Sequence, residues 1–314
     1  MNHATADAVD HDEPDKLAPW RDRAGLGNLG VAPGVVVACS GGADSIALLA
    51  LAVDAGLDPV AVHVDHGLRA SSADEAVAVG GVAVGLGARF LTVTVDIGAG
   101  SNLEARARDE RYRALERARE ELGAECVLVA HTADDQAETV LLNVLSGAAG
   151  SGLSGMAPRH GRIVRPLLGL RRSDLRALCA ALELSVFDDP MNDDPSFRRV
   201  AVRRDVLPLL ERVAQRDLVP VLARQADILR AESEYLDEMA AAAWPDSDPP
   251  SVASLVALPS VLARRALRQW LGSPPPSLAE VERVLLVATG AVRSTELAGG
   301  RTIRRASGKL FTTR

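Results

Sequence analysis

Val35-Val36-Val37-Ala38-Cys39-Ser40-Gly41-Gly42-Ala43-Asp44-Ser45 decides the fold. A β-branched run stops at a polar, glycine-bearing turn, and the turn opens onto an apolar segment that reads as a helix from Ser45 to Ala55. Strand, tight turn and helix form the first half of a βαβ unit. Working outward, the alternation repeats. Strands are expected at Val60–Val64, Phe90–Val95 and Cys126–Ala130, with helices at Ala73–Leu86, Leu103–Leu122 and Asp135–Leu145. The expected class is α/β, an open parallel sheet with helices on both faces.

In such a sheet the ligand sits beyond the carboxyl ends of the strands. Those ends carry Ser40-Gly41-Gly42-Ala43-Asp44-Ser45, then His63-Val64-Asp65-His66-Gly67-Leu68-Arg69, then Asp96, then His131-Thr132-Ala133-Asp134-Asp135. The first of these is an anion cradle by construction. Adjacent glycines let the backbone approach an anion, the following helix points its positive end at it, and Ser40 and Ser45 add hydroxyls. Asp44 beside a phosphate calls for a cation such as magnesium between the two. A Walker loop is excluded because no Gly-Lys-Ser/Thr occurs, and a dinucleotide fingerprint because Gly41 and Gly42 are adjacent. His63 and His66 could be metal ligands, but no third histidine has a fitting spacing, so a turn shaping a nucleotide pocket is preferred. Asp134, Asp135 and Glu138 fall in the first turn and a half of a helix, where acids are ordinary dipole partners. Asp134 and Glu138 are nonetheless like charges four residues apart, which implies an ammonium or metal partner.

Beyond the glycine-rich Gly147–Gly155 the strand pattern fades, and helices are expected at Asp174–Leu182, with Ser173 as N-cap, and at Val202–Val213. Asp246-Ser247-Asp248-Pro249-Pro250 and Pro274-Pro275-Pro276 break up the remainder. The expected organisation is an acidic, disordered tail over 1–20, a catalytic domain over 21–213, and a smaller, mainly helical domain over 214–314.

The net charge of −7 disfavours a polyanionic partner at first sight. The acid, however, is concentrated in the first residues, while arginines cluster at Arg159, Arg162, Arg165, Arg171, Arg172 and Arg176, and again at Arg198, Arg199, Arg203 and Arg204. Lys16 and Lys309 are the only lysines, so nearly all the basic character is the fork-shaped guanidinium that suits phosphates. Cys39, Cys126 and Cys179 form no Cys-x-x-Cys pair, and no apolar run reaches the eighteen or so residues of a membrane span. A soluble, cytoplasmic protein with reduced thiols and no membrane partner is expected.

Ser-Gly-Gly-x-Asp-Ser after the first strand resembles the pyrophosphate loop of the N-type ATP pyrophosphatases, with their adenine nucleotide alpha hydrolase-like fold. Later motifs narrow the resemblance to the tRNA(Ile)-lysidine synthases. They are Val64-Asp65-His66-Gly67-Leu68-Arg69; Glu104, Ala107, Arg108, Arg111 and Tyr112; and His131-Thr132-Ala133-Asp134-Asp135-Gln136-Ala137-Glu138-Thr139. Gly152-Leu153-Ser154-Gly155-Met156, Arg165-Pro166-Leu167-Leu168, and Asp189-Pro190 with Asn192, Arg199 and Arg203 complete the set, which spans about Val35 to Leu210.

The resemblance implies a two-step ligation. Cytidine O2 attacks the α-phosphate of ATP and expels pyrophosphate; the amine of L-lysine then attacks C2 and expels AMP. The base is the wobble cytidine of tRNA(Ile) with a CAU anticodon, whose decoding shifts from AUG to AUA. It further implies ATP contacts at Ser40, Gly41, Gly42, Ala43, Asp44, Ser45, His63 and His66, with Mg2+ at Asp44. Catalytic roles are implied for Asp44, Arg108, His131, Asp134, Asp135 and Glu138, and tRNA contacts for Arg199, Arg203 and the C-terminal domain. Which of Asp134, Asp135 and Glu138 takes the amine proton is left open, as is a homodimer. Where the family commonly has Arg-Asn-x-x-Arg and Asp-Pro-Ser-Asn, this chain has Arg199-Val200-Ala201-Val202-Arg203 and Asp189-Pro190-Met191-Asn192. The rivals are a tRNA thiolase or amide-forming synthetase with the same loop, and a non-catalytic nucleotide- or RNA-binding module; the lack of a Cys-x-x-Cys and of a glutaminase counts against the first two.

Overall fold

β1 (Gly34–Ala38) sends successive valines into two different cores: Val35 and Val37 join Ile46, Leu48 and Leu49 on one side, and Val36 joins Val60, Val62 and Leu115 on the other. A strand buried on both faces must be apolar at every position, which is why the run carries no alternation. The computed structural model describes residues 17–28, 30–32, 34–67, 72–98, 103–148, 150–187, 197–244 and 250–313. Most of the expected acidic tail, Leu68, Arg69, Asp189–Asn192 and the side chain of Glu104 lie outside the described residues.

β2 (Asp58–Asp65) and β3 (Arg89–Thr94) extend the sheet on one side of β1, and β4 (Cys126–Leu128) pairs with its other side, all in parallel. The short hairpin β5 (Arg159–His160) and β6 (Ile163–Val164) adds an antiparallel edge, giving the order β3-β2-β1-β4-β6-β5. The chain runs outward from β1 to β3 and then jumps back to β4. The gap between the carboxyl ends of β1 and β4 is therefore the topological switch point, where this architecture leaves a crevice.

α2 (Ala43–Asp54) and α3 (Ser72–Gly85) cover one face and α4 (Leu103–Glu121) the other. α2 is buried almost all round because α6 (Arg172–Ala181) lies over it through Leu175, Leu178 and Cys179, and α1 (Ala18–Ala24) packs against it as well. That double cover accounts for its nearly uninterrupted apolar sequence. α6 starts at Arg172 with Arg171 as its N-cap residue, so Ser173, expected as the cap, sits inside the first turn. α5 (Ala133–Leu145) shares a smaller core with Val202, Leu207 and Val219. The helix expected at Val202–Val213 is instead α7 (Arg198–Ala201), a π-helical turn over Val202–Val206, and α8 (Leu207–Ala214).

The chain forms two compact units, dividing between Ala226 and Asp227 inside α9 (Val219–Ala243). The second unit holds α10 (Val252–Ala257), α11 (Ser260–Leu271) and α12 (Leu278–Thr289) around Leu255, Leu267, Val281 and Val284. It ends in an antiparallel sheet of β7 (Ser294–Leu297), β8 (Arg301–Ala306) and β9 (Lys309–Thr313), an addition to the mainly helical domain expected over 214–314. Among the described residues no helix is long and apolar enough to cross a membrane.

Candidate active site

The loop between β1 and α2 lies at the switch point. Gly41 has φ 89°, and a Cβ there would come within 2.8 Å of Val79 Cγ2 and 3.3 Å of the Phe187 ring. Both the angle and the space require glycine. Gly42 precedes α2 with an extended backbone and offers no side-chain cap, so the start of the helix remains available to an anion. Ser45 Oγ donates to Gly42 O at 2.9 Å and accepts from Ser40 N at 3.2 Å, which fixes the loop from inside. The loop opens on a cavity of about 590 Å3 lined by Ser40, Gly42, Asp44, His66, Arg108 and His131 among others.

His63 Nδ1 donates to Cys39 O at 3.0 Å, tying β2 to the loop, and the ring is 7% exposed. His66 Nδ1 is buried without a hydrogen-bond partner, and burial, followed by Arg111, lowers its pKa. Neither histidine belongs to a metal-binding group; among the described residues there is none.

Asp44 is the anomalous carboxylate. Its Oδ1 is buried with no partner, its Oδ2 is 3.3 Å from Arg172 Nε, and burial pushes its pKa up to about 6 against the pull of Arg172. An orphaned carboxylate oxygen beside an anion cradle fits a hard cation held jointly with phosphates. Magnesium typically takes one or two carboxylates and completes its shell with phosphate and water.

The acids expected on α5 separate into three environments. Asp135 closes a capping box, its Oδ2 accepting from Thr132 N and Oγ1 at 2.9 Å each, while its Oδ1 faces Arg172 Nη2 at 2.9 Å. Burial works against its charge, but Arg172, the Thr132 amide and His131 together hold its pKa below the usual carboxylate range. Asp134 turns away from the cavity: its Oδ2 accepts from Arg172 N at 2.8 Å and its carboxylate pairs with Arg171 at 3.2 Å. It serves as the anion at the N-terminus of α6. Glu138, 1% exposed, is held by Arg203 at 2.7 Å, Arg199 at 3.4 Å and Arg172 at 3.5 Å. The cations implied by the Asp134–Glu138 spacing are thus arginines. Arg199 and Arg203 line the cavity at the same time as they pair with Glu138.

Arg172, which the sequence offers only as one member of an arginine cluster suited to phosphates, is the hub of the acidic side chains. One guanidinium reaches Asp44, Asp135 and Glu138, and its backbone amide reaches Asp134. The signal available was the unmatched charge on α5 together with the arginine run before α6.

Arg108 lies with its guanidinium 5.1 Å from the Tyr112 ring centre. Arg165 Nε donates to His131 Nδ1 at 3.3 Å, and burial first, then the neighbouring arginines, pushes the His131 pKa down to about 3 despite Asp135. The ring is neutral at pH 7, and with Nδ1 accepting, the proton resides on Nε2. Gln136 exchanges two hydrogen bonds with the Met156 backbone, at 2.9 and 2.7 Å, docking the Gly152–Met156 motif onto α5.

A parallel sheet with a Ser-Gly-Gly-x-Asp-Ser anion loop at its switch point defines a PP-loop nucleotide-binding domain, and the PP-loop domain family matches residues 26–210. The TilS substrate binding domain family matches residues 251–311. A tRNA(Ile)-lysidine synthase of Rhodococcus erythropolis is 47% identical over 243 residues, which cover 76% of this chain and 73% of that protein. One of Salinispora tropica is 41% identical over 297 residues, covering 88% and 89%. The chain belongs to the tRNA(Ile)-lysidine synthase family. In fold, a U34-tRNA thiolase from Methanococcus maripaludis superposes with a TM-score of 0.57 at 18% identity, covering 69% of this chain and 79% of that one.

Proposed function

We infer that this enzyme uses ATP to join L-lysine to C2 of the wobble cytidine of tRNA(Ile), producing lysidine. Family membership and the PP-loop carry the reading. The finer steps are supported by how the cavity is furnished.

The Ser40–Ser45 loop binds the phosphate tail through backbone N–H groups, with Ser40 and Ser45 as hydroxyl donors. Asp44 is the carboxylate suited to hold Mg2+, which neutralises phosphate charge when bound. Cytidine O2 attacks the α-phosphorus, the bond to the β-phosphate oxygen breaks, and pyrophosphate leaves. Arg108, which lines the same cavity as the loop, is assigned the stabilisation of charge on the phosphorus centre. The adenylated O2 is now a good leaving group; the lysine amine attacks C2, loses its proton, and AMP departs.

Free lysine is mostly protonated at pH 7, so its amine must be docked and then deprotonated. Asp135 is the member of the acidic trio that lines the cavity, and we assign it the amine. Neutral His131 supplies an N–H donor beside it. The C-terminal unit is assigned contacts to the tRNA body, and the reaction is placed in the cytoplasm with the tRNA pool.

The deciding experiment incubates the protein with ATP, Mg2+ and labelled lysine, using an unmodified CAU-anticodon tRNA(Ile) transcript and a methionine tRNA control. Label on the isoleucine transcript alone, with one AMP per lysine, is expected; label on both or neither refutes the assignment.

A further inference from the structure

The cavity has two electrically different walls. On the acidic wall Asp44 and Asp135 face Arg172, while Glu138, outside the lining, is held by Arg203. On the other wall the pattern reverses. Arg108 and Arg111, which line the cavity, lie 5.1 and 5.5 Å from the centre of the Tyr112 ring, and Arg165, outside the lining, bonds the lining His131 at 3.3 Å and the Ala157 carbonyl at 2.8 Å. Among the described residues none of these three arginines has a carboxylate within ion-pair distance. Burial and the adjoining Arg108 pull the pKa values of Arg111 and Arg165 below normal, although the Tyr112 hydroxyl works the other way. Crowded guanidiniums taken out of water without counter-charge are costly in an empty site, and an anionic ligand removes that cost.

We propose that Arg111, grouped with Arg108 on Tyr112 and backed by the charge of Arg165 through His131, forms a second anion site that takes a backbone phosphate of the RNA next to the reacting cytidine. The proposal rests on the tRNA reading above. Topology separates this site from the triphosphate loop. Arg108 and Arg111 ride on α4, which packs on the Val36 face of the sheet, whereas the loop feeds α2 on the Val35 and Val37 face. The two sets of donors approach the switch point from opposite sides. The ATP phosphate tail has its own donors at the loop, Arg108 alone being shared with the α-phosphorus, and a single lysine carboxylate would still leave a guanidinium unmatched. A polynucleotide threading past Tyr112 supplies repeated charges, and arginine forks match phosphate oxygens bidentately. Gripping the phosphate would fix the cytidine relative to ATP, so Arg111 and Arg165 act as positioning residues.

The test uses the full chain with R111Q and R165Q, and two CAU-anticodon tRNA(Ile) transcripts, one natural and one with methylphosphonates flanking the cytidine. Expected is roughly tenfold weaker binding of natural tRNA by R111Q and a salt slope reduced by about one. The Kd for ATP should be unchanged. The methylphosphonate tRNA should bind the parent about tenfold more weakly, with no further loss in R111Q. Thermal stability of R111Q should equal or exceed that of the parent, since an unmatched buried charge is removed; this separates the role from a structural one. R165Q, which also loses its bonds to His131 and Ala157, is read by tRNA binding alone, and R111K should recover part of the affinity. A loss confined to ATP affinity or to the KM for lysine, or a full loss persisting on the neutral linkages, would overturn the proposal. Parent protein that binds this tRNA as expected but forms no AMP would instead overturn the proposed reaction and leave the anion site standing.

Discussion

Arg172 Nη2 lies 2.9 Å from Asp135 Oδ1, and the same guanidinium spans to Asp44 on the phosphate loop, so one cation couples the two acidic elements of the site. Removing it strands partly buried carboxylates, and breaking a buried pair by deleting one partner is more costly than the pair was worth. R172Q is expected to lose about 2 kcal/mol of stability in urea denaturation. Adding D44N should return part of it, because one of the stranded charges is then gone. Equal stability of R172Q and parent would show the network to be energetically idle.

The Asp44 carboxyl is raised to about 6 by burial, which gives a pH signature. Its proton is held more tightly in the folded state than in the unfolded chain, where Asp titrates near 3.9. The stabilisation is therefore complete below about pH 4 and lost as pH rises through about 6. Without nucleotide or divalent ions, D44N should match the parent at pH 4 and exceed it by about 3 kcal/mol at pH 8. AMP formation should be abolished at both ends. A stability difference that does not vary with pH, or retained AMP formation, would remove Asp44 from its role.

The legible parts of this chain were those with a local cause. Val35–Cys39 and the turn after it announced a buried strand and an anion loop because β-branching and adjacent glycines act within a few residues. The acids on α5 were visible, but their partners were not: Arg171, Arg172, Arg199 and Arg203 reach them from 34 to 65 positions away. Asp134 and Asp135 are neighbours, yet one serves α6 and the other the cavity, a distinction set only by which way α5 enters. The C-terminal sheet escaped notice because its strands commit so little to the core, just Leu297, Ile303 and Leu310 being fully buried. The π-helical turn over Val202–Val206 has no periodicity of its own to detect.

Gly41 tests the loop geometry from the steric side. Gly41→Ala meets two separable penalties, a positive φ of 89° and a 2.8 Å approach to Val79 Cγ2. The first costs of order 1–3 kcal/mol, and the second adds overpacking of similar size. G41A should lose ATP binding measurably by calorimetry. The double variant G41A/V79A should recover only the steric part, so a full rescue would mean that the backbone angle does not matter.

Glu138 is the most enclosed charge in the site, and its 2.7 Å contact to Arg203 joins α5 to the π-helical turn. Arg199 reaches the same carboxylate from one turn earlier, so the irregular helix delivers two cations to one acid. Such π-bulges often occur where a functional side chain must be re-aimed. If the pair acts as a unit, a double-mutant cycle of E138Q and R203Q should give a coupling energy of about 1–3 kcal/mol from urea midpoints. E138Q alone should be the more damaging single change, because it leaves Arg199 and Arg203 facing each other without an anion. It should also lower kcat for AMP release more than it raises the KM for ATP, since the loop that grips the triphosphate is untouched. Additive stabilities would mean that Arg199 and Arg172 suffice to hold Glu138, and that the π-helical turn places Arg203 for some purpose other than this contact.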